Sequence, residues 1–205
     1  MRRLLSQALS LVFLLTATST VGAAQTVAND VVESLHDSLI AVMKNADTLG
    51  FEGRRDRLAP VIANSFDMAL IARGSAGRHW RTFDTEEQKR LIEKVMNLTV
   101  ATYAARFDDY AGEKFRVLSQ EPAPRDTVLV STRLVKSDGE EIELNYLLRP
   151  TEAGWRIVDV YLKGVYSELA VRRSEYASLI KRGGLEGLIT AIDDKIAEFK
   201  AEAAN

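Results

Sequence analysis

Asp159 is the first residue whose type and setting suggest chemistry. It interrupts the apolar run Gly154-Trp155-Arg156-Ile157-Val158-Asp159-Val160-Tyr161-Leu162. A carboxyl group buried in such a run can acquire a raised pKa and act as a general base. Small cone-shaped α+β enzymes of the ketosteroid-isomerase type place carboxylates inside their sheets in this way. The competing reading pairs Asp159 with an arginine or with backbone donors, and no second acid or base completes a catalytic set. Other chemistries find fewer residues. His36 and His79 lie in separate helical regions, and the chain has no cysteine, so no ligand set for a metal is expected. No G-x-S-x-G elbow or Cys–His pair offers a nucleophile. Gly74-Ser75-Ala76-Gly77 lacks the lysine and the spacing of a phosphate loop and reads as a helix break. No catalytic residue and no cofactor is therefore expected. Arg172-Arg173 and Lys181-Arg182 fit either a solvated helix face or a cationic rim for phosphate headgroups, the second pair suiting a helix C-terminus. Asn97-Leu98-Thr99 matches a glycosylation sequon but falls in mid-helix.

The elements that would carry these residues fall into three blocks. Helices are expected over residues 27–45, with Val31, Leu35, Leu39 and Val42 at helical spacing, and over 52–59, ended by Pro60. A third covers 61–72 and is stopped or kinked by the run Arg73-Gly74-Ser75-Ala76-Gly77. A fourth starts at Asp84 or Thr85, where Asp84/Glu87 and Thr85/Gln88 both have capping-box spacing, and ends near Tyr110. Its apolar stripe is wide enough for burial on more than one side. Strands follow over 115–119, 127–135, 141–148 and from 154 on, with a hairpin turn at Asp138-Gly139. Helices over 167–181 and 185–202, parted by Gly183-Gly184, close the chain. Helices, an antiparallel meander of about four strands, then helices make an α+β fold.

The last strand poses a problem. Strict alternation puts Trp155, Ile157, Asp159 and Tyr161 on one face and Arg156, Val158, Val160 and Leu162 on the other. Both faces are then apolar, although a sheet covered on one side should show a polar one.

The composition, 46% hydrophobic and 27% charged, excludes disorder and low-complexity structure. Residues 1–24 read as a secretory signal peptide: Arg2-Arg3, an apolar stretch from Leu4 to Leu15, and small residues at Gly22-Ala23-Ala24 with cleavage after Ala23 or Ala24. Residues 25–205 then form a single exported domain that uses no disulfide. Losing Arg2 and Arg3 takes the basic count from 27 to 25 against 29 acids, a balance that disfavours nucleic acid as a partner.

Three ordered blocks resemble the MlaC (toluene-tolerance) family of periplasmic lipid-binding proteins. The first is Ser65-Phe66-Asp67-Met68-Ala69 with Ala72-Arg73-Gly74 and Trp80. The second is Thr85-Glu86-Glu87-Gln88-Lys89-Arg90 with Ala101-Thr102-Tyr103 and Tyr110. The third is Gly154 to Val160 with Gly164-Val165, Arg172-Arg173-Ser174-Glu175-Tyr176, Gly184 and Leu188-Ile189. The resemblance implies a carrier, not an enzyme, that holds acyl tails between its sheet and helices. It also implies shuttling of phospholipid between an outer-membrane lipoprotein complex and an inner-membrane ABC transporter. The stretch from Glu168 to Glu175 is similar to the hopanoid-associated HpnM branch, which would make a hopanoid or another apolar lipid the cargo. The segment from Ser75 to His79 departs from the family's tighter leucine-glycine turn, so the local helix junction is expected to differ.

On this reading the second apolar face of the last strand lines a cavity. Val100, Tyr103, Leu144, Tyr146, Val158, Val160 and Leu162 are the expected lining, and Arg172 and Arg173 the headgroup rim. Ordinary core packing is the alternative for each apolar position. Two other functions stay open: a small enzyme with Asp159 as base, and a non-catalytic adaptor of an envelope complex with a solid interior.

Overall fold

The computed structural model describes residues 21–204; most of the leader expected over 1–24 lies outside them. The chain forms α1 (Val21–Met43), α2 (Ala46–Ser65), α3 (Met68–Ala76), a 3₁₀ segment (Gly77–Thr82) and α4 (Thr85–Arg106). Strands β1 (Lys114–Ala123), β2 (Thr127–Val135), β3 (Glu141–Thr151), β4 (Gly154–Leu162) and β5 (Tyr166–Ser167) follow, and α5 (Glu168–Glu202) ends the fold. The strands make one antiparallel sheet in sequential order, and α1, α2, α3 and α5 pack against it, so the α+β reading holds. The fifth strand is a two-residue addition to the expected four.

Several boundaries move for identifiable reasons. Pro60 does not end a helix: α2 runs on to Ser65. A proline in a helix interior costs about 3 kcal/mol. Leu58 and Ile62, both fully buried, flank it and fasten the two sides of α2 to the core. The expected break near residues 47–50 is a kink at Gly50, whose φ of 58° takes the chain out of helical geometry. The single helix expected over 61–72 is instead broken at Phe66-Asp67. There the Asp67 amide donates to the Ile157 carbonyl of β4 at 2.9 Å, and the Asp67 carboxylate caps α3 by accepting from the Leu70 amide. The α2–α3 junction is thereby pinned to the sheet. Helix α3 ends at Ala76, within the expected 73–77 stop, with Gly77 at φ 57° as its C-cap; Gly74 inside it admits the Leu169 side chain of α5.

Of the two possible capping boxes for α4, Asp84/Glu87 forms, with reciprocal bonds of 2.9 and 2.8 Å. Gln88 instead donates to the Trp80 and Phe83 carbonyls. The helix stops at Arg106, one turn before the expected end. Strand β1 is longer than expected and takes in Pro122, which an edge strand tolerates. The gap expected between two C-terminal helices is a kink at Gly184 within α5.

The apolar stripes meet between layers. Val32, Leu35 and Leu39 of α1 are fully buried, and the helix packs across β1, β2 and β4. Val128, Val130 and Leu134 of β2 and Ile142, Leu144, Tyr146 and Leu148 of β3 occupy alternate positions and join that core or its margin.

Candidate lipid-binding cavity

Register resolves the two apolar faces of β4. Ile157 pairs with Leu148, but Asp159 pairs with Leu147, so Val158 is an extra, bulged residue. Directly opposed residues share a face. Trp155 and Ile157 before the bulge therefore stand on the same side as Val160 and Leu162 after it, opposite Pro150, Leu148, Tyr146 and Leu144. Arg156, Asp159 and Tyr161 take the other side. The strict alternation read from the sequence is corrected: β4 has one apolar face, and it looks toward the helices.

That face does not meet the helices flush. A cavity of about 260 Å³ lies between it and the stripe Thr99, Thr102, Tyr103 and Arg106 of α4. These positions recur at helical spacing, so one side of one helix forms the wall. Leu134, Ile142, Leu144, Tyr146, Val160 and Leu162 form the sheet side. Phe66, Ile71 and Phe107 fill the flanks, and Glu168, Leu169 and Arg172 from the start of α5 stand at the remaining edge. A larger recess of about 1120 Å³ lies between α3, the first turn of α5 and the sheet, and a larger share of its lining is polar, with Arg73, Arg125, Asp126 and Arg149 among it. The smaller, apolar space is the better container for hydrocarbon.

Of the residues expected to line a cavity, Tyr103, Leu144, Tyr146, Val158, Val160 and Leu162 do line this one, as does Arg172. Val100 does not; it sits one position round α4 from Thr99 and is buried in the core. Arg173 also misses the cavity. It lies over the 3₁₀ segment, its Nε 2.9 Å from the point a Cβ at Gly77 would occupy. Sequence reasoning missed Thr99, Thr102, Arg106, Leu134 and Ile142. Arg106 stands three residues after Tyr103, and Leu134 and Ile142 continue the alternation of their strands, so their spacing carried the signal.

Of the polar side chains at the cavity, Thr99 and Thr102 bond back to the Val95 and Leu98 carbonyls of their own helix. The Tyr146 hydroxyl is 3.1 Å from His36 Nε2, and the His36 ring stacks on Phe115 with centroids 3.9 Å apart. Burial pushes His36 down to about 3, so its ring is neutral at ordinary pH, and the same desolvation holds Tyr146 well above the usual phenol range. Burial likewise raises Tyr103, partly countered by Arg106 and Arg172.

Asp159 has a structural task. Its carboxylate accepts from the Ser167 hydroxyl at 2.5 Å, the Leu169 amide at 3.0 Å and its own neighbour's amide, Val160, at 2.8 Å. Ser167 in turn caps α5 through the Ala170 amide. With these acceptors engaged, Asp159 fixes the first turn of α5, which brings Glu168, Leu169 and Arg172 to the cavity. Among the described residues no cluster of three His, Cys, Asp or Glu side chains has metal-ligand geometry, and no helix is long and apolar enough to cross a membrane.

The family model for the MlaC protein matches residues 33–194. A search of curated proteins returns no match. Among solved structures, the fold is similar to a phospholipid-binding protein from Ralstonia solanacearum, solved in complex with a phospholipid. The TM-score is 0.73 at 20% identity, over 86% of this chain and 98% of the other.

Proposed function

Since the chain belongs to the MlaC family, we propose that it is a non-catalytic carrier that holds the acyl tails of a phospholipid in the cavity between the sheet and α4. The observation that carries this reading is the apolar space itself, walled by inward-facing residues of β2, β3 and β4 that do not meet the helices flush. The phospholipid bound to a protein of similar fold supports the choice of cargo.

Energetics favour such a device. Each methylene transferred from water is worth ~0.8 kcal/mol, so ~30 methylenes cost on the order of 24 kcal/mol to expose. Unassisted diffusion of a two-tailed lipid through an aqueous gap is then prohibitively slow. At about 260 Å³ the cavity falls below the roughly 300–1,000 Å³ usual for ligand pockets, so loading pushes wall side chains outward. Release then requires a partner that binds a more open state better than the closed one.

Export by the leader over residues 1–24, with residues 25–205 as one mature domain, would place the carrier in the periplasm. There the lipid passes between an outer-membrane lipoprotein complex and an inner-membrane ABC transporter. The test is lipid extraction and mass spectrometry on protein exported with its own leader. Co-purifying phospholipid is the expected result. Protein free of any lipid from a lipid-rich host refutes the carrier; a hopanoid in place of phospholipid assigns the chain to the HpnM branch.

A further inference from the structure

At the mouth of the cavity two cations stand without partners. Arg106, in the last turn of α4, and Arg172, in the second turn of α5, are 66 residues apart in sequence yet line the same opening. Neither makes a hydrogen bond or ion pair with any described residue, although Asp108 and Asp109 follow Arg106 closely and Glu168 precedes Arg172 by one turn. Elsewhere on α4 the cations facing α5 are engaged: Arg90 binds Glu186 with two bonds, and Lys94 binds Asp193. The Tyr103 hydroxyl lies between α4 and α5 within electrostatic reach of Arg106, Glu168 and Arg172, and makes no hydrogen bond among the described residues. The first amides of α5 are not available to an anion, because Asp159 and Ser167 already accept from Leu169 and Ala170. Any anion recognition here therefore falls to side chains.

We propose that Arg106 and Arg172 form a phosphate site at the cavity mouth, with the Tyr103 hydroxyl as a further donor, so that the cargo is selected by its headgroup phosphate as well as by its tails. The inference rests on the carrier reading and assigns the residues that would distinguish its phospholipid cargo from uncharged polycyclic or diacyl lipids. Two guanidinium groups suit phosphate oxygens through their paired N–H donors. Glu168, at the same mouth, reduces the local charge of the three groups to +1, which matches a headgroup with one phosphodiester better than one with several. The tails then anchor in the apolar space while the phosphate stays at its rim, each chemistry meeting its like.

The experiment uses the full mature chain and a phosphatidylethanolamine with a fluorophore on one acyl chain, displaced by unlabelled competitors from detergent micelles. Phosphatidylethanolamine is expected to compete about a hundredfold better than diacylglycerol with the same chains, about tenfold for each arginine. Each of Arg106→Gln and Arg172→Gln should shrink that difference by about tenfold, read as the ratio of the two competitors within the same variant. Raising the salt concentration should weaken the phospholipid alone, a readout that needs no variant. Equal competition by both lipids in the wild type overturns the phosphate site and leaves the carrier standing. If neither lipid competes, both readings fall together. Displacement of the probe by millimolar glycerol 3-phosphate, which has the phosphate and no tails, would assign the arginines to free phosphate esters and overturn the headgroup site.

Discussion

Replacing Asp159 by alanine separates a structural carboxylate from a catalytic one. Two of its three accepted bonds reach across the fold, to Ser167 and to the Leu169 amide; the third is to the adjacent Val160 amide. A hydrogen bond to a charged group contributes about 1.5–3 kcal/mol, and Asp159 is only 8% exposed, so water replaces it poorly. Allowing for some relaxation of the α5 terminus, Asp159→Ala should lose about 3 kcal/mol. For a domain of this size that is a fall in Tm of roughly 6–12 °C. Asp159→Asn keeps one acceptor for the Leu169 amide and should lose less than half as much. Urea unfolding followed by circular dichroism measures both, and lipid retention should decline in the same order because Leu169 and Arg172 lose their placement. If Asp159→Ala proved as stable as the wild type, the account of Asp159 as the anchor of α5 would be refuted. Turnover of some substrate abolished in an equally stable Asp159→Asn would restore the general-base reading.

Three other outcomes follow from the geometry. Val160→Phe adds a ring into the cavity and should yield a folded protein that purifies without lipid, whereas a solid core would respond by losing about 1–3 kcal/mol of stability through overpacking. The buried His36 is held to about 3 against an unfolded value of 6.5, so the unfolded chain binds a proton that the folded one does not. Stability should therefore fall as pH drops below about 6.5, by up to ~1.4 kcal/mol per pH unit toward pH 3; between pH 7 and 5 that slope should be largely absent in His36→Gln. Removing the Tyr146 hydroxyl in Tyr146→Phe leaves His36 Nε2 unpaired and should cost about 1–3 kcal/mol, measured at pH 7 by denaturant midpoint.

Features set by a few neighbouring residues were legible in the sequence. The Asp84–Glu87 box, the Asp138-Gly139 turn and the alternation along β2 and β3 all depend on local chemistry, and each appears where local chemistry puts it. Features settled by distant contacts were not. Nothing near Pro60 reveals that Leu58 and Ile62 are held firmly enough to carry the helix past it. Nothing near Phe66-Asp67 reveals that the Ile157 carbonyl waits for the Asp67 amide. The cavity shows the same limit: Val100 and Tyr103 are three apart on one helix, yet only Tyr103 reaches the open space. Apolar character says that a residue avoids water; the distance between layers decides whether it meets another side chain or a gap.

Val158 carries one more consequence. Without it β4 would read Trp155, Arg156, Ile157, Asp159, Val160, Tyr161, Leu162, a perfect alternation with every cross-strand partner kept. The insertion is thus dispensable for pairing, and what it adds is bend, since a bulged strand coils more tightly than a regular one. A chain shortened by this residue would keep its register and flatten its sheet, lowering the vault over α4. The room for hydrocarbon in this fold would then depend in part on curvature, to which this valine and the matching irregularity at Val117/Ser119 of β1 both contribute.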